Sequence, residues 1–234
     1  MSTLLLLRHG LTAMTGPVLA GRTPGVHLDE RGQKQVAAVA QRMAALPLAA
    51  VVTSSLERCV ETADAVLAAQ AAAGRQPERH VDDRLLECDY GSWTGRPIKE
   101  LAKDPMWKTV QAQPSAARFP DGESIAAMSA RAVAAVRDWD AKLGDDAVWV
   151  ACSHGDLIKA VVADALGLHL DQFQRIVADP SSVSVIRYTA TRPFVIRVND
   201  VGGDLAVFTP PKKRRRRKPA EDAAVGGGAG SGAI

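Results

Sequence analysis

A chain of 234 residues with 47% hydrophobic and 24% charged side chains has an ordinary globular composition and is long enough to bury a sizeable core. Its three cysteines are far apart, which argues against a disulfide framework and against a zinc knuckle. No apolar run reaches the roughly 18 residues of a membrane span. We therefore expect a cytoplasmic protein that does not associate with membranes.

The formal charge of +3 is unevenly distributed along the chain. Seven consecutive basic residues occupy Lys212–Lys218, whereas the chain without this run and without Glu221 and Asp222 carries 22 basic and 24 acidic residues, net −2. From Thr209 onward, prolines, the basic run and a glycine-rich end cannot bury a core. We expect one domain over residues 1–208, followed by a disordered tail over 209–234.

Short apolar runs alternate with longer helical patterns along most of the chain. The apolar runs contain no polar interruptions, which is typical of strands buried on both faces of a parallel sheet. Ser54 and Glu57 fit a capping box at the start of one helix. The predicted elements are strand 4–7, helix 28–46, strand 50–53, helix 54–73, strand 79–82, helix 122–144, strand 147–152, helix 155–167, and an edge pair at 182–188 and 193–199.

This alternation predicts an α/β fold, namely a three-layer α/β/α sandwich with a mostly parallel central sheet and right-handed crossovers. The segment between the strand at 79–82 and the helix at 122–144 is expected to form a helical cap. It carries the cations Lys99, Lys103, Lys108 and Arg118.

Two of the apolar strands end in a polar residue followed by His-Gly. Residues 8–10 are Arg-His-Gly, and residues 153–155 are Ser-His-Gly. Because the carboxyl ends of parallel strands open onto one crevice, we expect His9 and His154 to share a rim. Gly155 leads directly into a helix, whose free N–H groups favour an anion.

Other residues expected near the two histidines predict a phosphate site. The strand at 50–53 leads into a helix that carries Arg58, and Arg8 and Arg58 supply fork-shaped donors suited to phosphate. A neutral imidazole is a competent nucleophile toward phosphorus, and neighbouring guanidiniums keep such a ring neutral. Glu87, in the stretch RLLECDYGSWTG, is a candidate proton donor for a leaving alkoxide.

These residues lie in motifs that resemble the histidine phosphatase superfamily, also called phosphoglycerate-mutase-like. LLLLRHGLT, SSLERCVETA, LLECDYGSWTG, FPDGES and ACSHG occur in the family order within residues 3–200. The resemblance implies a phosphorylated nucleophile at His9 and a proton donor at Glu87, with neither metal nor cofactor. It implies phosphoryl binding by Arg8, Arg58 and His154. It also places Thr15, Gly21 and Arg22 near the substrate, and Gly155 is a further candidate for substrate binding because it begins the helix whose N–H groups favour an anion.

Three functions stay open at this stage. The first is a metal-independent phosphatase that acts on a small phosphorylated metabolite, and FPDGES favours it. The second is a phosphomutase of the same fold; ECDYG lacks the Arg-His pair of the family's mutases, but the cap cations keep it open. The third is a nucleic-acid-associated protein acting through its tail, because Lys212–Lys218 predict weak polyanion binding. The substrate and the oligomeric state are not indicated by the sequence.

Overall fold

A computed structural model of the protein describes residues 1–202 and Gly226. Its central sheet has the order β3-β2-β4-β1-β5-β6. The strands β3, β2, β4 and β1 are parallel, whereas β5 and β6 join antiparallel at one edge. The strands are β1 (Ser2–Arg8), β2 (Leu48–Thr53), β3 (Glu78–Val81), β4 (Val148–Ser153), β5 (Val183–Tyr188) and β6 (Pro193–Asp200). The mostly parallel sheet and the late edge pair are confirmed.

Helices cover both faces of this sheet. The helices are α1 (Glu30–Met43), α2 (Glu57–Ala72), α3 (Ile98–Leu101), α4 (Pro105–Ala112), α5 (Ile125–Leu143) and α6 (Gly155–Ala165). Alternate leucines of β1 face opposite sides: Leu5 and Leu7 pack with α1 and α2, and Leu4 and Leu6 pack with α5 and α6. Three layers result, as predicted, and α3 and α4 lie in the segment expected to form the cap.

Capping residues fix where α1 and α5 begin. The carboxylate of Asp29 accepts the backbone N–H of Gly32 at 2.8 Å, and the hydroxyl of Ser124 accepts that of Ala127 at 3.1 Å. Each satisfies one of the N–H groups that a helix leaves unpaired at its start. Both helices bury one face toward the sheet, which matches the periodicity of their sequences.

The predicted capping box at Ser54 is wrong. Helix α2 begins at Glu57 with Leu56 as its cap and no side-chain capping bond. The backbone N–H of Ser54 donates to Cys152 O at 3.0 Å, so Ser54 still follows the register of the sheet. Its hydroxyl bonds the His154 ring at 2.9 Å, while the Glu57 carboxylate accepts the N–H of Gly25 at 3.0 Å. Ser54 therefore lies at the end of β2 and contributes its hydroxyl to the site instead of capping α2.

The carboxyl ends of the three central strands are level with one another. Arg8 pairs with Ser153, and Thr53 pairs with Cys152. Helix α1 packs on the segment after β1 so closely that a Cβ atom on Gly32 would lie 2.0 Å from Leu11 O. The path of the chain after His9 is therefore set by backbone contact, which only glycine at position 32 permits.

The tail predicted for 209–234 lies outside the described residues except for Gly226, and so does the basic run. The domain boundary at 208 and the polyanion binding therefore stay predictions. Within residues 1–202 and at Gly226, no helix is long and apolar enough to cross a membrane.

Candidate active site

A small cavity of about 40 Å³ lies at the carboxyl ends of the central strands. Four of the residues predicted for catalysis and phosphate binding line it, namely Arg8, His9, Arg58 and Glu87. His154 lies directly behind them, since its ring centroid is 5.2 Å from that of His9. The structure thus brings together residues that are up to 146 positions apart in the chain.

His9 is held as a neutral imidazole with one defined tautomer. Its Nδ1 lies 2.7 Å from Gly10 O, an atom that can only accept, so Nδ1 carries the proton. Arg58 Nε donates to Nε2 at 3.3 Å, which assigns the lone pair to Nε2. Burial and the charges of Arg58 and Arg8 hold the pKa of His9 well below its usual value. The unprotonated nitrogen therefore faces the guanidinium of Arg58.

His154 carries its proton on the opposite nitrogen. Arg58 Nη2 donates to Nδ1 at 3.2 Å, so Nε2 is the protonated atom and donates to the Ser54 hydroxyl at 2.9 Å. Burial, Arg58 and His9 hold the pKa of His154 well below its usual value. Both histidines are therefore neutral, and the negative charge of a phosphate dianion would oppose the positive charges that keep them so.

Arg58 joins the parts of the phosphate site. Besides its bonds to His9 and His154, its Nη2 donates to Gly21 O at 2.6 Å. Its buried Nη1 has no hydrogen-bond partner within the part of the chain that the structure describes. A buried cationic donor without an acceptor is costly, and a phosphate oxygen would satisfy it.

Arg8 supplies the second guanidinium and contacts an unexpected residue. Its Nη1 donates to Ala178 O at 2.7 Å, and its Nη2 donates to Gly226 O at 3.1 Å. Gly226 lines the cavity, although it belongs to the segment that the sequence predicts to be disordered. A neutral carbonyl oxygen thus occupies one donor of the predicted phosphate site.

Glu87 is a buried carboxyl on the other side of the cavity. It is 4% exposed, and one of its oxygens accepts the N–H of Cys88 at 3.0 Å. Burial, with the nearby charge of Asp156, raises the pKa of Glu87 to about 7, although the Cys88 N–H, Arg58 and Arg8 oppose the shift. A carboxyl with such a pKa can both release and recover a proton near neutral pH.

Sequence reasoning missed a buried polar cluster beside Glu87. Asp156 accepts bonds from Tyr90 Oη at 2.8 Å, from Lys159 Nζ at 3.0 Å and from Gly226 N at 3.1 Å. Burial and Asp156 raise the pKa of Tyr90 well above its usual value, so its hydroxyl stays protonated as a donor. Tyr90 and Asp156 each lie within three residues of a predicted site residue, which was the one available signal.

The four residues predicted to bind the rest of the substrate have different positions. Thr15 and Gly21 line the cavity; the Thr15 hydroxyl lies 2.9 Å from that of Thr12, and the Gly21 carbonyl holds Arg58. Arg22 is not among the residues lining the cavity, because its guanidinium turns to the Glu87 carbonyl at 2.9 Å. Gly155 begins α6 directly after His154. Substrate contact by any of the four stays a prediction.

Within the described residues, no three His, Cys, Asp or Glu side chains cluster so that they could hold a metal ion. Cys59 and Cys152 are both buried beside the site, with Cys59 Sγ 3.4 Å from His154 Nε2. A reaction without a metal or cofactor stays a prediction from the sequence.

Comparison with known proteins identifies the family. The fold is similar to that of phosphoserine phosphatase from Entamoeba histolytica in complex with 3-phosphoglyceric acid, with a TM-score of 0.75, 23% identity and coverage of 85% of this chain and 97% of that one. The family model for the histidine phosphatase superfamily (branch 1) matches residues 4–201. The chain therefore belongs to the histidine phosphatase superfamily.

Two curated relatives carry different activities in their names. The chain is 29% identical over 205 residues to phosphoserine phosphatase 1 from Hydrogenobacter thermophilus, covering 85% of this chain and 92% of the relative. It is 30% identical over 187 residues to a probable phosphoglycerate mutase from Cronobacter sakazakii, covering 78% and 83% respectively. Both phosphatases and mutases are thus among its relatives, and the choice between them depends on the site.

Proposed function

We propose that this protein hydrolyses a small phosphate monoester through a phosphohistidine on His9. One observation carries the proposal: His9, whose Nε2 bears a lone pair, and the protonatable carboxyl of Glu87 line the same cavity as the guanidiniums of Arg8 and Arg58. Arg8 and Arg58 donate to the non-bridging oxygens of the phosphoryl group, and His154, whose Nδ1 accepts from Arg58, holds that guanidinium in place. Such donors also stabilise the charge of the transition state.

In the first step, His9 Nε2 attacks phosphorus and forms the N–P bond as the bond to the ester oxygen breaks. Glu87 gives its proton to that oxygen, and the alcohol leaves. The ring then carries a positive charge, and Gly10 O, already 2.7 Å from Nδ1, accepts the remaining N–H throughout. The buried tautomer thus prepares the ring for attack without a proton transfer of its own.

In the second step, the Glu87 carboxylate takes a proton from water as the water oxygen attacks phosphorus. The N–P bond breaks, its electrons return to Nε2, and inorganic phosphate leaves with His9 neutral. Glu87 is protonated again, so both groups regain their initial states. A pKa of about 7 suits a carboxyl that must act first as acid and then as base.

The lining of the cavity favours hydrolysis over mutase chemistry. A mutase must retain the dephosphorylated alcohol until the phosphoryl group is transferred back to it, and it needs further cations to hold the second anionic group of that molecule. Among the described residues, the cationic side chains that line the cavity are Arg8 and Arg58, both assigned to the transferred phosphoryl group. The cap cations Lys99, Lys103, Lys108 and Arg118 are not among the lining residues. The relatives' names make phosphoserine and 3-phosphoglycerate the first substrates to assay.

The experiment is to trap the intermediate. Full-length protein is mixed with a ³²P-labelled monoester in EDTA, quenched in alkali and analysed for acid-labile label, with free phosphate measured in parallel. We expect label on the wild type, none on His9→Ala, and release of inorganic phosphate. Turnover by a folded His9→Ala variant would refute the nucleophile, and transfer of the label to a second hydroxyl of the substrate would identify a mutase.

A further inference from the structure

Arg131 binds the backbone of the loop that carries Glu87. It lies on α5, and its Nη1 donates to the carbonyl oxygens of Arg84 and Leu86, both at 2.8 Å. Its Nη2 donates to Glu87 O at 3.0 Å. One guanidinium therefore satisfies three carbonyl groups within four consecutive residues, including that of the proposed acid itself.

Glu123 holds Arg131 and the far side of the same loop. Arg131 Nε donates to Glu123 Oε2 at 3.0 Å, and Arg131 Nη2 donates to Oε1 at 2.5 Å. The same Oε1 accepts the backbone N–H of Asp89 at 2.8 Å. Burial would raise the pKa of Glu123, but the bonds from Arg131 and Asp89 outweigh it and lower the pKa. Glu123 is thus a charged carboxylate, and the backbone of the loop is hydrogen-bonded on both sides of Glu87.

Two further contacts restrict the movement of the Glu87 loop. Arg22 donates to Glu87 O at 2.9 Å and to Glu123 Oε1 at 3.0 Å, so the carbonyl of Glu87 accepts two guanidinium bonds. Gly91 has a positive φ of 52°, and a Cβ atom there would lie 1.9 Å from Pro120 O. The Glu87 loop and the loop that carries Glu123 therefore touch backbone to backbone.

We propose that Arg131, held by Glu123, is a positioning residue that aims the carboxyl of Glu87 at the leaving-group oxygen. The inference rests on the function proposed above. Arg131 is not among the residues that line the cavity, so it acts through the loop. Because proton transfer requires a distance near 3 Å, a small shift of the carboxyl weakens acid catalysis while leaving the phosphate-binding groups in place.

The test compares two esters that differ in their need for an acid. Phosphoserine has a poor leaving group, whereas the leaving group of p-nitrophenyl phosphate needs little protonation. For full-length Arg131→Lys and Arg131→Met, we expect kcat/KM to fall about 10- to 100-fold on phosphoserine and less than about 3-fold on p-nitrophenyl phosphate. Arg137→Met is the matched control, because Arg137 lies on the same helix but pairs with Asp164 at the surface. It should change neither value.

A double variant separates positioning from general damage. If Arg131 acts through Glu87, Glu87→Gln combined with Arg131→Lys should lose no more activity on phosphoserine than Glu87→Gln alone. If Arg131→Met fails to fold, the losses on the two esters are compared for Arg131→Lys and Glu123→Gln instead. The melting temperatures of these two variants are measured as well. Equal losses on both esters, no loss on phosphoserine, or additive losses in the double variant would each overturn the inference.

Failure of this inference can be told apart from failure of the proposed function. A wild type that hydrolyses neither ester, or a fully active His9→Ala, contradicts the phosphatase itself. A wild type with an ester-selective loss in Glu87→Gln, but no such selectivity in the Arg131 and Glu123 variants, contradicts only the positioning role.

Discussion

The two sides of the cavity are built from different kinds of contact. On the phosphate side, Arg8, His9, Arg58 and His154 end or directly follow strands of the central sheet or lie in the first turn of the next helix. On the acid side, Glu87 lies on a loop outside the sheet, and guanidinium groups distant in sequence hold its backbone. The phosphate groups thus take their positions from the fold, whereas the acid takes its position from side chains.

This difference has a consequence for how the sides respond to substitution. Sheet register depends on many backbone hydrogen bonds, so no single side chain controls the position of His9 or His154. A loop held by a few charge-assisted bonds can shift when one of them is lost. Substitutions on the phosphate side should therefore affect every ester alike, and those on the acid side should affect esters according to their leaving groups.

The largest effect is expected for Arg58→Met. The guanidinium contacts both histidines and, in the proposed mechanism, stabilises the transferring phosphoryl group, so kcat/KM should fall on the order of 10³- to 10⁵-fold, equally for phosphoserine and p-nitrophenyl phosphate. Steady-state kinetics on both esters measure it. Arg79→Met serves as the control, since Arg79 pairs with Asp64 at the surface. A loss of kcat/KM on only one of the two esters would contradict the expected equal effect.

Glu87→Gln should show the opposite pattern. The amide keeps the shape of the side chain but has no acidic proton to transfer, so phosphoserine hydrolysis should slow about 10²- to 10⁴-fold. With p-nitrophenyl phosphate, the first step needs little acid, and the trapped phosphohistidine should accumulate because water activation is slowed. Glu78→Gln, on the exposed strand β3, is the control. Equal slowing of the first step for both esters would mean that another group donates the proton.

The same substitution should change stability with a defined pH dependence. An unfolded glutamate loses its proton near 4.5, whereas folded Glu87 keeps it to about 7, so the wild type loses stability as pH rises between these values. At 1.36 kcal/mol per unit the cost reaches about 3 kcal/mol above pH 7. The free energy of unfolding of Glu87→Gln relative to wild type should therefore increase by about that amount from pH 4 to pH 8. A pH-independent difference in urea titrations would contradict the raised pKa.

The smallest effect is expected for Ser54→Ala. It removes the hydroxyl that accepts from His154 Nε2, a contact worth about 0.5–1.5 kcal/mol, or about 2- to 12-fold in rate. Because His154 lies on the phosphate side, both esters should lose the same factor. Ser92→Ala provides a control outside the site. A leaving-group-dependent loss would show that the two sides are coupled through His154.

The comparison also explains what could be predicted from the sequence. Strand ends followed by His-Gly placed His9 and His154 on one rim, and the motif before Arg58 placed the guanidinium, because each position follows from a strand and its next turn. The contacts that hold Glu87 come from Arg131, 44 positions away, and from Glu123. No local pattern indicates them, since an arginine on an amphipathic helix is usually only solvated. The capping box failed for a similar reason: tertiary contact with His154 outweighed local capping preference.

The Gly226 peptide lines the cavity and is part of the same chain, so diluting the protein does not remove it. Its carbonyl on Arg8 and its N–H on Asp156 belong to the same chain, so their local concentration is independent of the protein concentration. A phosphate that binds Arg8 as proposed must displace this neutral group, and its charge-assisted bonds are the stronger ones. Intramolecular competition of this kind multiplies KM and leaves kcat unchanged. Gly226→Val, unfavourable at a φ of 73° and close to Leu19, should accordingly lower KM alone; an unchanged KM would show that the peptide does not compete.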